Sequence, residues 1–367
     1  MYLKIYKVLD LFSGVGGLSY GFTIDNRFEI VAGNEILEDM AKAYSLNHPN
    51  IKIYNCDIKD FGIKNLTNDL GIKKGNIDII IGGPPCQAFS SVGKRLKDDP
   101  RANLFREYYR VLKEVNPKLF LFENVRGLLS IRDGELFREI VELFESLEYK
   151  VSYKILNSAD YGVPQIRKRV IIIGTKLEKE FIYPKPTHSN IDKELNPYLN
   201  LSDAIGDLPF IGNNQESFKY AKRPQNKFQK LMRKDTKSKL IEHNSPNNNP
   251  KIIKIMKTLK DGGTPQELPK HIRPNSGFSN NYCKLWWEKP ALTITRNLGT
   301  PSSSRCIHPK AHRPLTTREG ARLQSFPDNY KFYGSRSAKN LQIGNAVPPL
   351  LSIVLKDTIG DYLNNVK

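Results

Sequence analysis

The run Asp78 to Ile81 ends abruptly at Gly82-Gly83-Pro84-Pro85, and this junction constrains the chain more than any other stretch. A short apolar, β-branched run reads as a buried strand, and two glycines followed by two prolines cannot continue a ladder. Cys86 then falls on the loop just past the strand's carboxyl end, the rim at which open α/β sheets bind ligands. A thiol held there by two prolines is stiffly placed and reachable; a buried structural cysteine is the plain alternative.

Other runs repeat the pattern. Lys7 to Phe12 reads as a first strand, and Ser13-Gly14-Val15-Gly16-Gly17-Leu18 as a glycine-rich turn into a helix, where backbone N–H groups can approach a ligand. Phe28 to Ala32 reads as a second strand leading to Glu35, and Ile51 to Asn55 as a third leading to Asp57. An acid after the second strand suits a ribose hydroxyl pair, as in dinucleotide dehydrogenases, so NAD binding competes with other nucleoside cofactors at this stage. Leu104 to Asn116 has helical spacing, and Lys118 to Phe122 reads as a fifth strand delivering Glu123 to the rim that carries Cys86. Gly134 to Leu147 reads as a helix, and Tyr149 to Leu156 and Val170 to Gly174 as strands. Arg167 and Arg169 lie two apart, so in an extended segment they face one side and could reach one site.

The chain carries 57 Lys and Arg against 38 Asp and Glu, a net charge of +19, which points to a polyanionic partner. No apolar run approaches the roughly 18 residues of a membrane span, and the opening MYLKIYKVLDLF lacks a signal-peptide pattern, so a cytoplasmic location is expected. The four cysteines, Cys56, Cys86, Cys283 and Cys306, form no CxxC pair, which argues against both a disulfide framework and a zinc site.

Six blocks in order, DLFSGVGGLSYGF, GGPPCQAFS, ENVRG, QIRKRVIIIG, REGARLQSFPD and QIGNAVPP, resemble the DNA (cytosine-5) methyltransferase family of bacterial restriction-modification systems. The resemblance implies an α/β fold: a Rossmann-like S-adenosylmethionine-dependent methyltransferase domain with a second, smaller target-recognition domain. It sets the dehydrogenase reading aside. By position it implies that Phe12, Gly14, Gly16, Glu35, Ile36, Asp57, Ile58, Pro85, Leu104, Asn345 and Val347 line the cofactor, with Glu35 on the ribose and Ile36, Asp57 and Ile58 at the adenine. Cys86 matches the nucleophile, Glu123 the carboxyl group facing the target base, protonated as it engages ring N3, and Arg167 and Arg169 the active-site arginine pair.

The implied chemistry is attack of the Cys86 thiolate on carbon 6 of cytosine, methylation of carbon 5, and loss of the carbon 5 proton with release of the cysteine. It needs no metal. The base must flip out of double-stranded DNA; Gln87 to Asn103 is expected to close over it, with Ser90 and Ser91 near the target phosphodiester and Lys94, Arg95 and Lys97 on phosphates.

Residues 1–182 plus 338–367 are expected to form the catalytic domain and 183–337 the small one. Ile211 to Lys260 holds 13 Lys and Arg against 3 Asp and Glu, which suits a target-recognition segment; the Gly262-Gly263-Thr264 turn and a loop with Arg273 and Asn275 are its candidate groove contacts. Trp286 and Trp287 read as core, and Arg318 to Phe326 as a scaffolding helix. A monomer is expected, with any cognate restriction endonuclease acting separately.

Overall fold

In the computed structural model, which describes residues 4–85, 103–236, 239–275 and 279–365, the apolar runs become strands of one sheet. The strands are β1 (Tyr6–Leu11), β2 (Phe28–Asn34), β3 (Lys52–Tyr54), β4 (Ile79–Gly82), β5 (Leu119–Val125), β6 (Lys150–Asn157), β7 (Gln165–Ile166), β8 (Lys168–Thr175) and β9 (Ala291–Leu292). The helices are α1 (Tyr20–Thr23), α2 (Glu38–Asn47), α3 (Ile63–Leu70), α4 (Leu104–Val115), α5 (Glu135–Glu145), α6 (Leu201–Ile205), α7 (Lys227–Met232), α8 (Pro250–Thr258), α9 (Thr317–Leu323), α10 (Arg336–Asn345) and α11 (Pro349–Asn365).

Seven strands pair in the order β3-β2-β1-β4-β5-β8-β6. The first five are mutually parallel, while β8 runs antiparallel to both β5 and β6. The order reverses between β1 and β4, and at such a switch point the loops after neighbouring strands diverge and leave a crevice at the carboxyl ends. Ile79, Ile80 and Ile81 are fully buried at the centre, as expected of a strand covered on both faces. Helix α4 lays Phe105, Tyr108, Val111, Leu112 and Val115 into this core, which also takes Phe120, Phe122 and Phe144.

The chain divides into two compact units. Unit 1 is residues 1–157, 168–185 and 351–367; unit 2 is residues 158–167 and 186–350. These units differ from the expected boundaries at three places, the smallest being residues 183–185, which stay in unit 1. Residues 158–167 join unit 2 because β7 pairs with β9 instead of extending β8. Residues 338–350 join it because α10 is stitched to α9: the Thr317 hydroxyl donates to Asn340 Oδ1 at 3.0 Å, and Gln324 Nε2 donates to the Ile343 carbonyl at 2.7 Å.

Unit 2 has little regular sheet and is held by buried charge. Arg167, Arg313, Arg318 and Arg322 are among its fully buried large side chains. Arg313 makes a two-pronged contact with Glu319 at 2.7 and 2.8 Å, and Arg322 donates to Asp207 at 3.0 Å and Asp328 at 2.6 Å. The expected scaffolding role of the segment from Arg318 matches this arrangement. Among the described residues no helix is long and apolar enough to cross a membrane.

Candidate active site

The rim of unit 1 begins at β1. Phe12, Gly14 and Gly16 take positive φ values of 53, 55 and 87°, a conformation that costs glycine nothing and phenylalanine something. A β-carbon on Gly14 would meet nothing within 4 Å, so the backbone there faces open space. The helix that follows, α1, has four residues only. The turn therefore offers its N–H groups with little help from a helix dipole, which needs a longer run of aligned peptides than this.

Glu35, at the end of β2, is buried and accepts hydrogen bonds from the Gly14 N–H at 2.9 Å and the Leu37 N–H at 2.8 Å. It locks the turn to β2. Ile36 beside it is 59% exposed, an apolar side chain left facing outward. Asp57 begins a short 3₁₀ turn and accepts from the Lys59 N–H at 3.0 Å. Ile58 is 3% exposed and packs into the core, whereas Ile36 stays exposed.

Beneath the turn lies Asp10, which sequence reasoning missed. It is 1% exposed and accepts from the Ser19 hydroxyl, with the Tyr44 hydroxyl also acting on it. Burial pushes its carboxyl group up to about 7, and the Glu35 charge adds to the rise. An acid inside the otherwise apolar run KVLDLF was the available signal. A carboxyl group whose folded pKa exceeds its unfolded one holds extra protons in the folded state. Its cost to stability therefore grows as pH rises from about 4, the unfolded value, to about 7, and is constant above that. Asp10→Asn should melt higher than wild type at pH 8, with the difference shrinking toward pH 5. A difference that is the same at both pH values would overturn this account.

At the ends of β4 and β5 the backbone comes close. A β-carbon on Gly83 would stand 2.9 Å from Glu123 Oε2, so glycine there admits the carboxylate. Asn124 Nδ2 donates to the Pro84 carbonyl at 3.0 Å, fixing the chain two residues before Cys86. Glu123 pairs with Arg169 Nε at 3.0 Å, each side chain 12% exposed. Burial lowers the pKa of Arg169, and the Glu123 charge opposes the fall. Antiparallel register explains the pair, since Val125 faces Arg169 and Glu123 faces Ile171 across β5 and β8.

Arg167 departs from the expected pair. It is 1% exposed and donates to the carbonyls of Ile294, Gly344 and Ala346 at 3.2, 3.1 and 2.8 Å, all within unit 2. The cause is the break between β7 and β8: the segment is not one continuous strand, so alternation does not carry from residue 167 to 169. Arg167 is held by these carbonyls, while Arg169 is paired with Glu123.

Pro85 and Leu104 are both half-buried, and Leu104 packs against the main core. Asn345 is exposed and Val347 buried, both in unit 2. Cys86, Ser90, Ser91, Lys94, Arg95 and Lys97 lie outside the described residues. In unit 2, Arg273 is exposed yet donates to the carbonyls of Gln266 at 2.7 Å and Leu268 at 2.9 Å, so it braces its own loop; Asn275 is exposed. The Gly262-Gly263 turn is likewise committed: the Gly262 carbonyl accepts from Arg305 at 3.1 Å and the Gly263 carbonyl from the Lys284 N–H at 2.9 Å. Trp286 lies under Arg305, 4.3 Å from the ring centre, and Trp287 packs on Phe210 and His308. Both tryptophans are half-buried.

A sheet that reverses beside a glycine turn, with an antiparallel strand inserted between β5 and β6, is the Rossmann-like fold of the S-adenosylmethionine-dependent methyltransferases. The chain belongs to the C-5 cytosine-specific DNA methylase family, whose model matches residues 6–360. It is 34% identical to the Type II methyltransferase M1.HphI of Haemophilus parahaemolyticus, covering 98% of this chain and 88% of that one. It is 36% identical to the Type II methyltransferase M.DdeI of Desulfomicrobium norvegicum, covering 98% and 90%. A crystal structure from an E. coli prophage, assigned as a DNA modification methyltransferase, superposes with a TM-score of 0.78 at 27% identity, covering 98% of this chain and 100% of that one.

Proposed function

We propose that the protein transfers a methyl group from S-adenosylmethionine to carbon 5 of a cytosine flipped out of a short specific sequence in duplex DNA, as the modification enzyme of a restriction-modification system. The observation that carries this reading is the Glu123–Arg169 pair at the mouth of β5, set against the Gly83-Pro84-Pro85 turn that leads into Cys86. The Type II relatives support the restriction-modification setting. The enzyme works as a monomer in the cytoplasm, and any cognate endonuclease acts separately on the same site.

The residues present fit the cofactor. An open face over Gly14, the carboxylates of Glu35 and Asp57, and the outward Ile36 match a ligand with a charged tail, ribose hydroxyls and an apolar ring. When bound, S-adenosylmethionine supplies an electrophilic methyl group on a sulfonium. The Cys86 thiolate adds to carbon 6 of the base, which makes carbon 5 nucleophilic; after methylation, loss of the carbon 5 proton expels Cys86. Glu123 meets the ring at N3, and Arg169 fixes the orientation of that carboxyl group. Pro85 and Leu104 are further cofactor-lining residues. Ser90, Ser91, Lys94, Arg95 and Lys97 hold the target strand, while the exposed Asn275 contacts a groove.

Bisulfite sequencing of plasmid from cells expressing the protein tests the reading, with Cys86→Ala as control. Conversion-resistant cytosines at one recurrent motif, absent in the control, are the expected result. Unmethylated plasmid from soluble, folded protein would sink the DNA assignment and turn attention to tRNA.

A further inference from the structure

Helix α8 of unit 2 carries Lys251, Lys254 and Lys257, all exposed and three residues apart. Its other face is fixed: Ile255 and Met256 are buried with Leu259, Leu268 and Ile307, and Ile252 and Ile253 pack against them. The lysines therefore point outward by necessity, not by a rotation the helix could change. Along the axis they are spaced about 4.5 Å apart, of the order of the roughly 3.4 Å per phosphate of one DNA strand.

Much of this row works against the helix's own stability, although Lys257 in the last turn suits the helix dipole. No acidic residue lies between Pro250 and Thr258, so no i, i+4 pair relieves the repulsion between neighbouring lysines. Lys251 sits in the first turn, just after the Asn249 cap and Pro250, where the helix dipole disfavours a cation. Among the described residues none of the three lysines is within ion-pair distance of a carboxylate. An ordinary solvated face intersperses acids and avoids these costs. A face that keeps them is built for an anion from outside.

We infer that the outer face of α8 is a phosphate-tracking surface, which seats the sugar-phosphate backbone of duplex DNA through Lys251, Lys254 and Lys257 without reading sequence. The inference rests on the methyltransferase reading for the identity of the polyanion. It adds the place on unit 2 where the backbone runs. The expected contacts are one phosphate per lysine, independent of base identity.

The test is the salt dependence of binding for the full chain with Lys251→Gln, Lys254→Gln and Lys257→Gln together. Two duplexes of equal length are titrated, one carrying the methylated motif and one not. The slope of log affinity against log salt should become shallower by about 2.7, from roughly 0.9 per phosphate contact, and by the same amount on both duplexes. A control triple in unit 1, Lys64→Gln, Lys73→Gln and Lys74→Gln, removes equal charge and should leave the slope unchanged. Melting at low salt should be equal or higher for the α8 variant, which shows that it folds.

An unchanged slope in the α8 variant overturns the inference. So does an equal fall in both triples, which would make the effect one of net charge, or a loss confined to the cognate duplex, which would make it base reading. Wild-type protein that binds duplex but methylates nothing would sink the proposed function while leaving the slope comparison readable.

Discussion

Glu123→Ala is expected to lower single-turnover methyl transfer by roughly 10²–10⁴-fold, the usual range for a positioned acid or base. Gly83 leaves room for this carboxylate, β5 holds it at the rim, and Arg169 Nε meets it at 3.0 Å. Arg169→Ala should cost a similar factor, because the carboxyl group then loses the partner that orients it. Arg169→Lys should recover little of the loss, since an ammonium lacks the planar fork of a guanidinium. The double variant should be scarcely worse than either single one, as expected of residues acting as a unit. Single-turnover rates with enzyme in excess over DNA, alongside far-UV dichroism, give the measurement. A loss below tenfold for Glu123→Ala, or full additivity in the double variant, would overturn the assignment.

The second large effect is on stability. Glu319→Ala leaves Arg313 fully buried without its carboxylate, and Asp328→Ala does the same to one side of Arg322. Breaking a buried pair at one end costs about 3–5 kcal/mol, a large part of a typical domain's stability. Urea midpoints should fall accordingly, while Glu319→Gln, which keeps a hydrogen-bond acceptor, should lose less. The arginines hold both acids below the ordinary carboxylate range. A depressed folded pKa contributes stability that is complete above the unfolded value of about 4 and is lost as pH falls through the folded one. Wild type should therefore weaken below pH 4, and the alanine variants should show a flatter acid limb. Variants as stable as wild type would show that the charges are not what holds unit 2.

The core sheet was readable because burial on both faces demands short β-branched runs, and runs such as Asp78 to Ile81 have few other uses. Strand ends shifted by one to three residues, and Glu35, Asp57 and Glu123 still fell after β2, after β3 and near the end of β5. Alternation does not carry from Arg167 to Arg169 because the segment breaks into β7 and β8, with β7 paired to β9. The inward turn of Ile58 was not legible, because adjacency to Asp57 says nothing about which way a side chain turns in a 3₁₀ segment. Asp10 was passed over because one acid in an apolar strand looks like noise until its neighbours are known.

The sequence by itself determined where strands fall along the chain, the family and the residue types at the reactive rim, since these depend on local pattern and on short motifs. Only the tertiary structure decided which charges are spent inside the molecule and which are left to act. Arg169 is held on Glu123, Arg167 and Arg273 are taken up by backbone carbonyls, and Lys251, Lys254 and Lys257 remain outward. The reason is physical: a charge is satisfied by whatever acceptor lies within about 3 Å of it, and for a long side chain that acceptor is usually supplied by a distant part of the chain.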